Sequence, residues 1–203
     1  MDRSPNTGVN RRQALRGLAA GAGATASALW VAELVALADE QAVHTHLALA
    51  SAPQTAAFTP KVLSDTQLEI VATVAELIIP TTDTPGARAA LVDRFIDGTL
   101  DAATPAVRGR FLQGLGYLQG MSQTAFRRPF QEITPAQQTD LLTRLSRDGS
   151  TEHDIGVQFF TAIKSMTITG YYSTEIGLRQ ELGDPGELML PRFVGCTHPE
   201  HQS

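Results

Sequence analysis

Four segments of this chain open on a hydroxyl residue placed to cap a helix and continue as an apolar run at helical spacing. That recurrence restricts the fold more than any other feature. In Leu63-Ser64-Asp65-Thr66-Gln67-Leu68 the Ser64 side chain can accept from the Gln67 amide, Gln67 can reach back, and Leu63 can pack on Leu68. Leu68, Val71, Ala72, Ala75, Ile78 and Ile79 then share a face until Pro80 stops the run. Thr104-Pro105 and Thr134-Pro135 each supply an N-cap and a first helical residue. Their stripes are Val107, Phe111, Leu115 and Leu118, then Leu141, Leu142 and Leu145.

Between these starts, TTDTPGA (81–87) reads as a loop, and Leu91, Val92, Phe95, Ile96 and Leu100 mark another helix face. Arg147-Asp148-Gly149-Ser150 breaks the pattern. A helix from Thr151 or Asp154 to about Tyr172 should face Ile155, Phe159, Phe160, Ile163 and Met166 inward. A last capped start at Ser173 leads through Ile176, Leu178 and Leu182 to the breaker GDPG at 183–186. Strand alternation is nowhere convincing. The expected fold is all-α: one domain of five to six helices over residues 63–187, followed by an extended, proline-stiffened tail over 188–203. Gly114, Gly116 and Gly120 are expected to permit close helix packing.

The N-terminus reads as an address. NRRQALR (10–16) pairs Arg11 with Arg12 ahead of Leu15, and Gly17 to Ala32 follows without a charge. That arrangement predicts a twin-arginine export signal over residues 1–38, with Ala36-Leu37-Ala38 as a candidate cleavage site. Residues 39–62 are then a linker or partner-binding arm, although Trp30 to Leu49 is helix-compatible and could persist as an anchor or an arm.

The formal net charge of −5 leaves no basic face for phosphates, so nucleic acid is excluded as a partner. No run of about 18 strongly apolar residues predicts a conventional membrane span. GxGxxA at 21–26 follows no strand and falls in the signal, so it is not a dinucleotide site. CxxCH, paired CxxC, GxSxG, HExxH and helical Glu-x-x-His pairs do not occur. His153 and Asp154 are adjacent, about 100° apart on a helix, which suits Asp154 to capping rather than to pairing. A twin-arginine passenger travels folded, often already holding a cofactor, yet this chain carries no cofactor motif. A partner that holds the cofactor would account for both observations.

The segments AELIIPTTDTPGA (75–87), FFTAIKSMTITGYYSTEIGL (159–178) and FVGCTHPEH (193–201), in this order behind an export signal, resemble the gluconate 2-dehydrogenase subunit 3 family. The resemblance runs from about residue 64 to 201. It implies a small, non-catalytic subunit of a periplasmic, membrane-associated sugar or alcohol dehydrogenase. The large subunit would be an FAD-containing oxidoreductase of the glucose–methanol–choline class, and a multi-haem cytochrome c often serves as the third. The small subunit would support maturation and twin-arginine export of the flavoprotein. Catalysis, FAD and sugar specificity would belong to that partner, and no cofactor or metal to this chain.

VGCTHPEH (194–201) holds the one cysteine and leaves three readings open. Cys196, His198 and His201 could ligate zinc or copper, although no fourth ligand lies near and Pro199 restricts the loop. The segment could be a plain solvated tail. Or, since an odd cysteine in an exported chain suggests a free thiol or an intermolecular bridge, it is a docking tail. In that leading reading Cys196 is the covalent link to the flavoprotein, and His198 and His201 donate hydrogen bonds across the interface. Of Tyr171 and Tyr172, one belongs to the core and the other to the interface. The alternative function is a free-standing exported metal-binding protein using Cys196, His198 and His201.

Overall fold

In the computed structural model, residues 29–48, 58–146 and 154–183 are described, and within them the chain is helical without strands. Six α-helices follow in order: α1 (Leu29–Ala48), α2 (Asp65–Ile78), α3 (Val92–Ala102), α4 (Pro105–Phe126), α5 (Pro135–Ser146) and α6 (Ile155–Tyr172). A 3₁₀ turn, Phe130–Glu132, precedes α5, and a π-helical turn, Ile176–Glu181, follows α6. The all-α expectation is met. The signal residues Arg11, Arg12 and Leu15 and the tail over 188–203 lie outside the described residues.

The expected caps form. Ser64 accepts from Gln67 N–H at 3.3 Å while the Gln67 side chain accepts from Ser64 N–H at 2.9 Å, the reciprocal pair that satisfies two orphan donors. Thr134 and Gln137 make the same exchange at the head of α5. Thr104 accepts from Val107 N–H behind Pro105, and Asp154 accepts from Gly156 N–H at 2.8 Å, which confirms Asp154 as the cap of α6. Ser173 departs from expectation. It closes α6, donating to Gly170 O, and Thr174 instead receives Gly177 N–H to start the next turn.

α6 is the axis of the bundle and packs on each of the other five α-helices. It therefore buries residues around most of its circumference: Phe159, Ala162, Ile163, Met166 and Tyr171 are all within the core. Phe111 of α4 meets Phe159 with ring centroids 5.1 Å apart. Gly114 permits that approach, since a Cβ there would lie 2.4 Å from Phe159 Cβ. Gly116 and Gly120 face open space, so only one of the three glycines expected at a helix contact serves one.

The approach to α2 is tied to the middle of α3 by a buried acid. Asp97, 1% exposed, accepts from the backbone N–H groups of Lys61, Val62 and Leu63 at 2.7, 3.0 and 2.9 Å. One carboxylate thus replaces water for three amides in the approach to α2. One continuous helix, α1, spans the expected boundary at residue 38 and extends into the segment expected as a linker, with Trp30, Leu34 and Ala38 buried.

Candidate functional site

The loop joining α2 to α3 is built around Glu76. In the last turn of α2, its carboxylate accepts from Thr81 N–H at 2.8 Å, the Thr81 hydroxyl at 2.7 Å and Arg88 N–H at 2.9 Å. Thr81 Oγ1 in turn accepts from Gly86 N–H at 3.0 Å, and Ala87 N–H returns to Ile79 O at 2.9 Å. The loop closes on itself over the carboxylate. Gly86 is dictated by proximity: a Cβ would sit 2.5 Å from Thr81 N and 2.7 Å from both Glu76 oxygens. Burial pushes the Glu76 carboxyl up, but the hydrogen bonds from Arg88 N–H, the Thr81 hydroxyl and Thr81 N–H outweigh it and hold its pKa below the ordinary value. Arg88 also grips Glu69 with both terminal nitrogens, at 3.0 and 2.9 Å, a solvent-facing pair that adds orientation more than stability.

The second wall comes from the end of α6. Tyr171 is 1% exposed and donates its hydroxyl to Pro85 O at 2.8 Å. Burial raises its pKa, so the phenol stays a donor. Tyr172 is half-buried, edge-on to Tyr171 at 5.2 Å between centroids. The core member of the pair is thus Tyr171, its ring packed and its hydroxyl spent on the loop. Thr84 donates to Glu181 of the π turn. Gly177 lets that turn fold back on α6, since a Cβ would meet Tyr171 O at 2.3 Å. π turns are rare and concentrate at functional sites.

Two stretches separated by some ninety positions, 76–88 and 171–181, therefore form one fastened corner whose outer surface shows Pro80, Thr81, Thr82 and Asp83 beside Arg179, Gln180, Glu181 and Leu182. Leu182, 61% exposed, is the most prominent apolar group on it. Internal partners take up the polar atoms of Glu76, Thr81 and Tyr171, so these side chains fix the shape of the corner. The chain leaves the corner at Gly183 toward the segment holding Cys196, His198 and His201, which lie outside the described residues.

Among the described residues, concavities also lie elsewhere. A groove of about 250 Å³ has Leu77, Ile78, Leu142 and Phe160 with Lys164 at its side. A polar one of about 190 Å³ is lined by Glu69, Arg88, Asp93 and Arg94, where burial raises the Asp93 pKa. Both fall short of the roughly 300–1,000 Å³ of ordinary ligand sites. Glu76, Thr84 and Glu181 were not anticipated as site residues. The available signal was a glutamate in an otherwise apolar helix end, immediately before a threonine-rich loop.

The family model described as Gluconate 2-dehydrogenase subunit 3 matches residues 65–183, from the first residue of α2 to the end of the fastened corner. No curated protein and no solved structure matches the chain.

Proposed function

Because the chain belongs to the gluconate 2-dehydrogenase subunit 3 family, we propose that it is the non-catalytic small subunit of an FAD-dependent sugar or polyol dehydrogenase, with the corner formed by residues 76–88 and 171–181 as its docking face. The observation carrying this reading is that the two motif segments within the matched span fold against each other into one rigid surface. Their polar atoms are spent on holding backbone in place, which preorganises the surface for contact with a partner. Half-buried Tyr172 and exposed Leu182 supply apolar contact, and the polar loop supplies a rim.

Such a subunit acts by mass action. By binding the folded flavoprotein and not its unfolded chain, it stabilises the partner without touching the reaction. FAD would reside in the large subunit, and haem c in a third where one is present. The paired Arg11 and Arg12 would address the assembled complex to the twin-arginine translocase, placing it in the periplasm. In that oxidising compartment Cys196, which has no second cysteine in its own chain, would be available to a cysteine of the partner. His198 and His201 would flank it.

The test is to replace Arg11 and Arg12 together by lysine and to follow the partner's dehydrogenase activity across cell fractions. Retention of that activity in the cytosol, with this chain, supports the proposal. Unchanged periplasmic activity would contradict it.

A further inference from the structure

Residues 29–38 carry more of the core than the end of an export leader would. Trp30, Leu34 and Ala38, at i, i+4 and i+8, are 5%, 0% and 0% exposed on a helix that packs against α6, α3 and α4. The Trp30 indole donates to Gln158 Oε1 at 2.8 Å within the buried contact, and Asp39 accepts from the Thr169 hydroxyl at 3.3 Å. The pairs 30–158 and 39–169 advance in the same direction, so α1 lies parallel along the axis of the bundle. The candidate cleavage site Ala36-Leu37-Ala38 sits mid-helix, with Ala36 outward and Ala38 fully buried. Proteolytic processing favours exposed, irregular segments, and this is neither. Cutting after Ala38 would also strip a tryptophan and a leucine from the core and uncover the helix faces beneath them.

We propose that the folded protein keeps residues 29–38 as a core element, and that Ala36-Leu37-Ala38 is not used for processing. Any cut lies upstream of Leu29. The statement about processing rests on the export reading, whereas the core role of the segment stands without it.

The experiment uses the full chain with a C-terminal tag, recovered folded from fractionated cells, in four forms: unaltered, Ala36→Leu, Leu34→Asp and Ala32→Asp. N-terminal sequencing and intact mass should give the same start, at or before Leu29, for the unaltered chain and for Ala36→Leu, whose bulky side chain would block a cut after Ala38. In thermal melts Leu34→Asp should lower Tm by roughly 10 °C or more, while outward-facing Ala32→Asp shifts it by only about 2 °C. A mature form starting at Asp39 that Ala36→Leu abolishes would overturn the inference, as would equal melts for the two aspartate variants. Recovery from the cytosol alone would remove the export reading, and the pair of melts then decides the inference.

Discussion

Asp97, Glu76 and Tyr171 each spend a polar atom on backbone, and each makes a separable prediction. Asp97 is the most constrained, because its removal leaves the N–H groups of Lys61, Val62 and Leu63 without their acceptor. Asp97→Ala is expected to cost about 2–3 kcal/mol in denaturant unfolding, and Asp97→Asn less. Tyr171→Phe keeps the packed ring but orphans Pro85 O, for an expected loss of about 1 kcal/mol. For Glu76 the sign follows from its depressed pKa. The stabilisation it contributes is complete above the unfolded-state value, about 4.3 for glutamate, and is lost as pH falls through the lower folded value. The Thr81 and Arg88 amide resonances should therefore titrate together with a midpoint below about 4.3, and Glu76→Gln should abolish that titration. A midpoint at or above the ordinary value would refute the loop's dependence on the ionised carboxylate.

Among the elements, α6 concentrates the risk, because it contacts every other α-helix and leaves little room to adjust. Gly114→Ala would drive a methyl into Phe159 and should destabilise by about 1–3 kcal/mol, whereas Gly116→Ala, facing open space, should stabilise slightly through helix propensity. Opposite signs for two neighbouring glycines, read by thermal unfolding, would verify the register of α4 on α6. The π turn depends on Gly177 in the same way, and Gly177→Ala should disrupt it while leaving the bundle folded. Which elements were legible follows from where their determinants lie. The capped starts at Ser64, Thr104 and Thr134 were readable because a cap and its stripe are local in sequence. The π turn was not, since its cause is the approach of Gly177 to Tyr171 O, and it read as an ordinary helix capped by Ser173. Helix α1 was half-legible. Its alanine-rich composition matches a leader as well as a core helix, and its packing, with Trp30 against Gln158 and Leu34 and Ala38 fully buried, distinguishes the two.

For the whole molecule, the fold class and most of the core were accessible from periodicity, and the family from motif order. The candidate site was less so. Its two halves were each visible as motifs, but their union depends on side chains such as Tyr171 and Thr84, whose partners are 86 and 97 positions away. The proposed docking face joins the loop and the π turn at one corner, so changes to its outward-facing side chains should affect association more than stability. Leu182→Asp, an exposed position with no core contact to lose, is expected to leave the melting temperature within about 2 °C and to weaken binding of the flavoprotein at least tenfold.

The proposed docking of this chain to a flavin-bearing dehydrogenase is open to direct test. The sharpest test is co-purification of the tagged chain from fractionated native cells, read by flavin absorbance and by gels run with and without reductant. A larger, yellow, FAD-containing partner in stoichiometric amount is expected, lost with Leu182→Asp, together with a reductant-sensitive band if Cys196 bridges the two chains. A colourless chain that comes down alone, or with bound zinc or copper lost in Cys196→Ala, would contradict it.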